Sequence, residues 1–276
     1  MIDIRKASGE IVIFDRDKFC QSVQKAGALE HIVQKVCSLV EREITPGTST
    51  SKISQKATRY LLREHELLAA ARYNLRNAIM QLGPAGFFFE EYVAAILREY
   101  GYVTKIRQIV QGKCIAHEVD ILAEKNGAHY IIEAKYHNER GVKSSVQVAM
   151  YTYARFLDIK EAHEEFESAH QSHHAWLITN TKFTLDALTY AECRGVKVTG
   201  WQYPIQESLE DLIVNKSLYP VTVLPTMNTY VREQFALQKL YFARDILAFS
   251  QQDLAKKFQI NQRIANGLVK EAYRLV

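Results

Sequence analysis

The sequence predicts an α/β protein: a mixed sheet flanked by helices in the middle of the chain, with mainly helical segments on either side. Three observations predict it. Between residues 85 and 224, helix-spaced and strand-spaced apolar patterns alternate. The first 84 residues read as a short hairpin followed by helices. From residue 225 the apolar residues keep helical spacing to the end of the chain. The expected domains are therefore 1–84, 85–224 and 225–276.

The elements follow in order. "IRKASGEIVIF" is a hairpin turned at Ser8-Gly9, and Asp15 or Asp17 caps a helix that ends near Gly27. Leu29, Ile32, Val33, Val36, Leu39 and Val40 give the next helix its apolar stripe. "TPGTSTS" is a loop whose Ser49, Thr50 or Ser51 caps a third helix, and "LLAAARYNLRNAIMQL" is a fourth. "GPAG", Gly83 to Gly86, breaks the pattern. "FFFEEYVAAILREYGY" is an amphipathic helix stopped by Gly101, and a strand follows around "TKIRQIV". "HEVDILAEKNGAHYIIEAKYH" is a hairpin turning at Asn126-Gly127. "VKSSVQVAMYTYARFLDI" is a helix, "HAWLITN" a strand, "TLDALTYAECRG" a helix and "VKVTGWQYP" a strand. "SLEDLI" is a short helix and "LYPVTVLPTMN" an extended linker before the helical tail.

Composition narrows the classes. Hydrophobic residues are 47% and charged residues 24%, as in globular proteins. No apolar run approaches the ~20 residues of a membrane span, and "MIDIRKASGE" has no apolar signal core. Cys20, Cys37, Cys114 and Cys193 are scattered without a CxxC pair. A reduced, cytoplasmic setting without zinc is expected. Residues 1–84 hold 13 basic and 9 acidic residues, 85–224 hold 14 and 18, and 225–276 hold 8 and 4. An acidic middle between basic ends suits a cation site flanked by phosphate contacts, and equally suits ordinary solvated faces.

The opening hairpin of the middle segment carries the chemistry. Side chains alternate along a strand, so Glu118 and Asp120 share one face, and Glu133 and Lys135 share one face of the partner strand. Three carboxylates and a lysine on one small area pack poorly but suit Mg²⁺, which takes hard oxygen ligands and keeps several waters. The alternative is a surface hairpin with its charges in water. His117 and His137 flank the acidic group as strand-end residues, and His170, His173 and His174 read as part of a solvated loop.

Asp120 followed by "EAK" at Glu133–Lys135 resembles the PD-(D/E)xK motif of restriction-endonuclease-like proteins. Val119 stands where the motif has proline, and Glu118 has no fixed place in it. "GFFFEEYVAAILREYGY" resembles the leading helix of the Mrr-like branch, and "QVAMY" resembles the QxxxY element of nuclease relatives. The resemblance spans about residues 85–215 and implies a restriction-endonuclease-like mixed sheet. It implies a Mg²⁺ or Mn²⁺ site at Asp120 and Glu133, completed by Glu90 with Glu91 as the shifted candidate. Lys135 would activate or position water, and Gln147 would support Lys135 or touch DNA.

"RKASGEIVIFDRDKFCQSVQKAGA" resembles the ATP-cone, a hairpin plus four-helix module that binds ATP or dATP as an effector. That resemblance implies phosphate contacts from Lys6, with its neighbour Arg5, Gly9 in the hairpin turn and Lys18 at the start of the following helix as further candidates. No GxxxxGK[ST] is present, so hydrolysis there is not expected. "SQQDLAKKFQINQRIANGLVKEAYRL" resembles a helix-hairpin-helix that grips DNA backbone, the alternative being a helical cap on the middle domain. Together these imply a metal-dependent DNA endonuclease under nucleotide control, acting as a homodimer or larger assembly. The alternatives are a non-catalytic nucleotide-sensing DNA-binding regulator and a nuclease for RNA or for damaged or branched DNA.

Overall fold

The computed structural model describes residues 2–82, 86–139, 141–163 and 172–276. Its contacts divide the chain into two units: Leu82–Lys216, and a second made of Met1–Gln81 together with Ser217–Val276. The three expected segments are thus grouped differently, because the tail packs on the N-terminal helices. The "GPAG" break at 83–86 lies largely outside the described residues.

In the discontinuous unit, β1 (Asp3–Arg5) and β2 (Ile11–Ile13) form the expected hairpin, with Gly9 at φ +87° in the turn. α1 (Arg16–Lys25) is capped by Asp15, whose carboxylate accepts from the Lys18 N–H at 2.9 Å. α2 (Glu30–Glu43) follows. Part of the expected loop is a strand, β3 (Thr48–Ser49), which pairs parallel with β1 through Ile4↔Thr48. Ser49 caps α3 (Thr50–Arg63), and α4 (Leu67–Met80) closes the module. Val23, Val33, Val36, Val40, Ala57 and Leu61 are buried together in its core. Cys20 and Cys37, expected as separate thiols, form a disulfide there. Antiparallel packing of α1 on α2 brings together residues whose sequence separation of 17 gives no hint of pairing.

The central unit starts with α5 (Gly86–Glu99), β4 (Val103–Gln111), β5 (Ala116–Lys125) and β6 (Ala128–Lys135). Asn126 and Gly127 turn the β5–β6 hairpin with φ +53° and +79°. β7 (Lys143–Ser144) leads into α6 (Val146–His163), then β8 (Ser172–Thr179), β9 (Lys182–Phe183), α7 (Leu185–Arg194), β10 (Lys197–Thr199) and α8 (Leu209–Val214). The sheet order is β10-β8-β6-β5-β4. β4, β5 and β6 are antiparallel, whereas β6, β8 and β10 are parallel and joined through helices, as the alternating pattern predicts.

The first seven residues of the expected linker are buried. Leu218, Tyr219, Val221, Val223 and Leu224 are all buried. Val221–Val223 form a 3-10 turn whose Thr222 hydroxyl donates to the Ala78 carbonyl of α4 at 2.7 Å. Arg72 Nε donates to the Tyr219 hydroxyl at 3.0 Å. "LYPVTV" is apolar because it covers α4. The tail continues as α9 (Thr229–Leu237), a 3-10 stretch (Ala243–Ala248), α10 (Gln251–Lys257) and α11 (Gln262–Tyr273). No helix of the described residues is long and apolar enough to cross a membrane.

Tyr219 is 1% exposed, so Tyr219→Ala should cost the discontinuous unit about 3–5 kcal/mol, the scale for emptying an aromatic core site. Urea denaturation read by hydrogen exchange should show that loss in α4 and not in the central sheet. Equal losses in both units, or none, would contradict the division.

Candidate active site

β5 and β6 run antiparallel with Leu122↔Ile131 and Ile121↔Ile132 as their last bridges toward the charged end. Just beyond, the Ala134 N–H donates to Asp120 Oδ2 at 2.7 Å, which draws the carboxylate onto the ExK strand. On the other side of β5, pairing passes from Ile106↔Ile121 to Gln108↔Val119 and skips Arg107 and Asp120. Arg107 has φ +49°, a left-handed conformation unusual for a strand residue. Regular alternation would put Val119 and Leu122 on opposite faces, yet both pack on the core beneath α6. The strand pair therefore switches faces at Asp120. The switch also aims Arg107 at α5, where it pairs with Glu91 and lies 3.6 Å from Glu90 Oε2.

The result is a cavity of about 350 Å³ lined by Gly86, Glu90, Asp120, Glu133, Ala134, Lys135, Tyr136 and Asn138. Four expected site residues, Asp120, Glu133, Lys135 and Glu90, thus share one wall. Glu91 is buried against Arg107 and does not line the cavity, so Glu90 is the carboxylate that α5 supplies. Glu118 and Gln147 are exposed and also lie outside the lining, although Glu118 adds negative charge near Glu90.

Gln147, Tyr151 and Arg155 sit four residues apart on α6 and share a face. The residue that this face sends to the site is Arg155, which the sequence analysis missed. Its guanidinium is 8% exposed, stacks 4.7 Å over Tyr151 and lies 2.9 Å from Glu133 Oε2. The contact is ionic, since neither Arg155 Nη1 nor Glu133 Oε2 makes an aligned hydrogen bond. The signal available in "QVAMYTYAR" was a cation one helical step beyond the tyrosine.

Lost hydration dominates the electrostatics. Burial, then the Asp120 charge, pushes the Glu90 carboxyl up to about 7 despite Arg107. Burial also raises Asp120, while the Ala134 N–H, Arg155 and Lys135 pull it back. Glu133 is raised by burial and by Asp120, against Arg155 and Lys135. Glu90 Oε2 and Glu133 Oε2 are buried oxygens without a hydrogen-bond partner. Among the described residues no three His, Cys, Asp or Glu side chains close around one point. Magnesium needs only one or two carboxylates with retained water, so the carboxylates of Asp120, Glu133 and Glu90 that line this cavity fit a hard divalent cation.

The histidines hold the framework. His117 Nε2 lies 2.7 Å from Asp158 Oδ2, and that contact is the main cause holding the Asp158 carboxyl at about 2. The His137 backbone and the Asn180 carboxamide exchange two hydrogen bonds of 2.9 and 2.8 Å, and its Nε2 reaches the Ser144 hydroxyl at 3.0 Å. His173 and His174 stack on His129 and Tyr130 of the neighbouring strand, and His170 lies outside the described residues. In the other unit, Arg5, Lys6, Gly9 and Lys18 are exposed around the first hairpin, where Lys6 pairs with Glu10 at 2.9 Å.

Residues 84–202 match a family described as restriction endonuclease, and residues 219–276 match one described as AF1548-like, C-terminal. An uncharacterized protein of Archaeoglobus fulgidus is 38% identical over 184 residues, covering 67% of this chain and 99% of the relative. A crystal structure titled as the protein of unknown function AF1548 shares 37% identity at a TM-score of 0.58, covering 69% of this chain and 97% of that one.

Glu90 holds its proton more tightly folded than unfolded, so its contribution to stability is present below pH 4.5 and lost as pH rises through about 7. In metal-free buffer, Glu90→Gln should match the parent at about pH 4 and exceed it by about 2–3 kcal/mol at pH 8. Coincident melting curves at pH 8 would show that Glu90 ionises without penalty.

Proposed function

The chain belongs to the family of AF1548-like proteins and carries a restriction-endonuclease domain, and from that premise we propose that it is a DNA endonuclease dependent on Mg²⁺ or Mn²⁺. The observation that carries the reading is the single cavity wall shared by Asp120, Glu133, Lys135 and Glu90. Asp120 and Glu133 would hold the cation, with Glu90 as the additional ligand. The bound cation neutralises charge on the scissile phosphate and makes a neighbouring water easier to deprotonate.

Lys135 orients that water in line with the phosphorus and stabilises the charge that grows on the phosphoryl oxygens. The water oxygen bonds to phosphorus as the bond to the leaving oxygen breaks; the water gives up a proton to solvent, and the leaving oxygen takes one from solvent. Arg155 holds Glu133 by one oxygen and limits its swing. Gln147 and Tyr151, exposed on the same helix face, suit DNA contact better than support of Lys135. Cutting both strands requires two such sites, so a homodimer or larger assembly belongs to the same proposal.

For the N-terminal module the proposal is an effector role for ATP or dATP. Its support is a hairpin followed by four helices, with Lys6, Arg5, Gly9 and Lys18 exposed at one end. Phosphate would displace Glu10 from Lys6.

Lys135→Ala and Asp120→Asn should each slow plasmid cleavage by at least ~10²-fold without lowering the melting temperature. Normal cleavage by Lys135→Ala would sink the site assignment. A non-hydrolysable ATP analogue should change the cleavage rate by roughly 5–150-fold, and Lys6→Ala should remove that response while basal cleavage persists. Titration calorimetry without binding at millimolar ATP and dATP would end the effector reading.

A further inference from the structure

The C-terminal helices are joined in a way that goes beyond a cap. α10 ends at Lys257, and four residues, Phe258–Asn261, lead into α11. In that turn Gln259 takes φ +51°, the Ile260 N–H bonds back to the Ala255 carbonyl at 3.0 Å, and Asn261 caps α11 by accepting from the Ile264 N–H at 2.8 Å. Phe258 and Ile260 are buried, and the Phe258 ring meets Phe235 of α9 at 4.5 Å. This is a compact tri-helical arrangement with a short, sharply bent turn before its last helix.

α11 has two distinct faces. Ala265, Leu268, Ala272 and Leu275 are buried at steps of three and four. Arg263, Asn266, Lys270 and Tyr273 form the opposite stripe and are all exposed. The flank of the helix is fixed: a Cβ on Gly267 would lie 2.8 Å from Thr226 Oγ1, and Glu271 accepts from the Thr226 N–H and hydroxyl at 3.0 and 2.5 Å. The outer stripe is thus presented on a rigid support. Its chemistry is one-sided. Lys256, Lys257, Arg263, Lys270 and Arg274 are exposed, whereas Asp253 is the one exposed acid from 250 to 276. At the start of α11 the carboxamides of Gln262 and Asn266 are hydrogen-bonded at 2.8 Å beside Arg263.

We propose that α10 and α11 form a helix-turn-helix that seats α11 in the major groove of duplex DNA, with Gln262, Arg263 and Asn266 at the base edges. A helix of twelve residues is about 18 Å long and fits that groove. The first turns of such a second helix are the ones that reach the bases. Arginine pairs with guanine and asparagine or glutamine with adenine, while Lys256, Lys257 and Lys270 serve phosphates. The choice of DNA over another polyanion rests on the nuclease reading. The unit would give the enzyme a sequence preference that catalytic carboxylates cannot supply.

The test uses the full chain in EDTA, where cleavage is blocked, with a pool of randomised duplexes. Repeated binding and amplification should enrich a short motif. Arg263→Ala and Asn266→Ala should each weaken binding to the enriched duplex by about 5–150-fold and leave binding to an unrelated duplex nearly unchanged. Arg263→Lys keeps the charge and should still lose the motif. Lys270→Ala should weaken both duplexes alike and lower the salt slope by about one. All three positions are exposed, so melting temperatures should hold. No enriched motif, a motif that survives Arg263→Ala with Asn266→Ala, or equal affinity for single strands overturns the proposal. A motif selected by a protein that cleaves nothing in Mg²⁺ or Mn²⁺ supports it and defeats the nuclease reading instead.

Discussion

Three carboxylates stripped of much of their water at one end of a sheet are the constraint around which the central unit is built. Glu90, Asp120 and Glu133 repel one another in a half-buried space, and each is pushed toward its neutral form. Such a group persists only if cations approach from the surrounding elements. Arg107 comes from β4, Lys135 from β6 and Arg155 from α6. The left-handed backbone of Arg107 makes sense in this light, because a regular strand residue there would follow the ladder and not reach α5. Backbone strain of this kind survives where its surroundings over-determine it.

The discontinuous unit obeys a different rule, apolar covering of one helix. α4 buries Ala69 and Ala70 toward the core of the first four helices. Its later turns bury Leu75, Ala78 and Ile79, and it is at Ala78 that the returning chain attaches through Thr222. Neither the N-terminal module nor the tail is therefore a separate body. The polar contacts at this seam include single hydrogen bonds from Arg72 to Tyr219, Thr222 to the Ala78 carbonyl, Arg232 to the Gln81 carbonyl and Arg274 to the His65 carbonyl. Most of the stabilisation comes from buried side chains such as Tyr219, Val221 and Leu224.

Much of the fold was legible because it rests on local signals. Asn126-Gly127 announced the hairpin, Asp15 and Ser49 announced helix starts, and alternation set Glu133 and Lys135 on one face. What failed to be legible was long-range. Strand parity could not foresee that β5 switches faces at Asp120, opposite a left-handed residue, Arg107, on the neighbouring strand. Arg155 was hidden because its partner Glu133 lies 22 residues away in the chain, beyond any motif spacing. The disulfide between Cys20 and Cys37 needed the packing of α1 on α2. "LYPVTVLPTMN" looked like a linker because its prolines outweighed its apolar content, and only the exposed side of α4 explains that content.

The central unit is contiguous in sequence, whereas the other unit is interrupted after Gln81 and resumes at Ser217. This sets an order of assembly on the ribosome. Domains generally fold as units while the chain emerges at about 5–20 residues per second. Leu82–Lys216 is complete when Ser217–Val276 has yet to be made. For roughly 3–12 s at that rate, the central sheet would have been synthesised in full while the later turns of α4 still lacked their cover. A helix made early is thus finished late, because the later turns of α4 gain their cover only once the residues after Ser217 have been made.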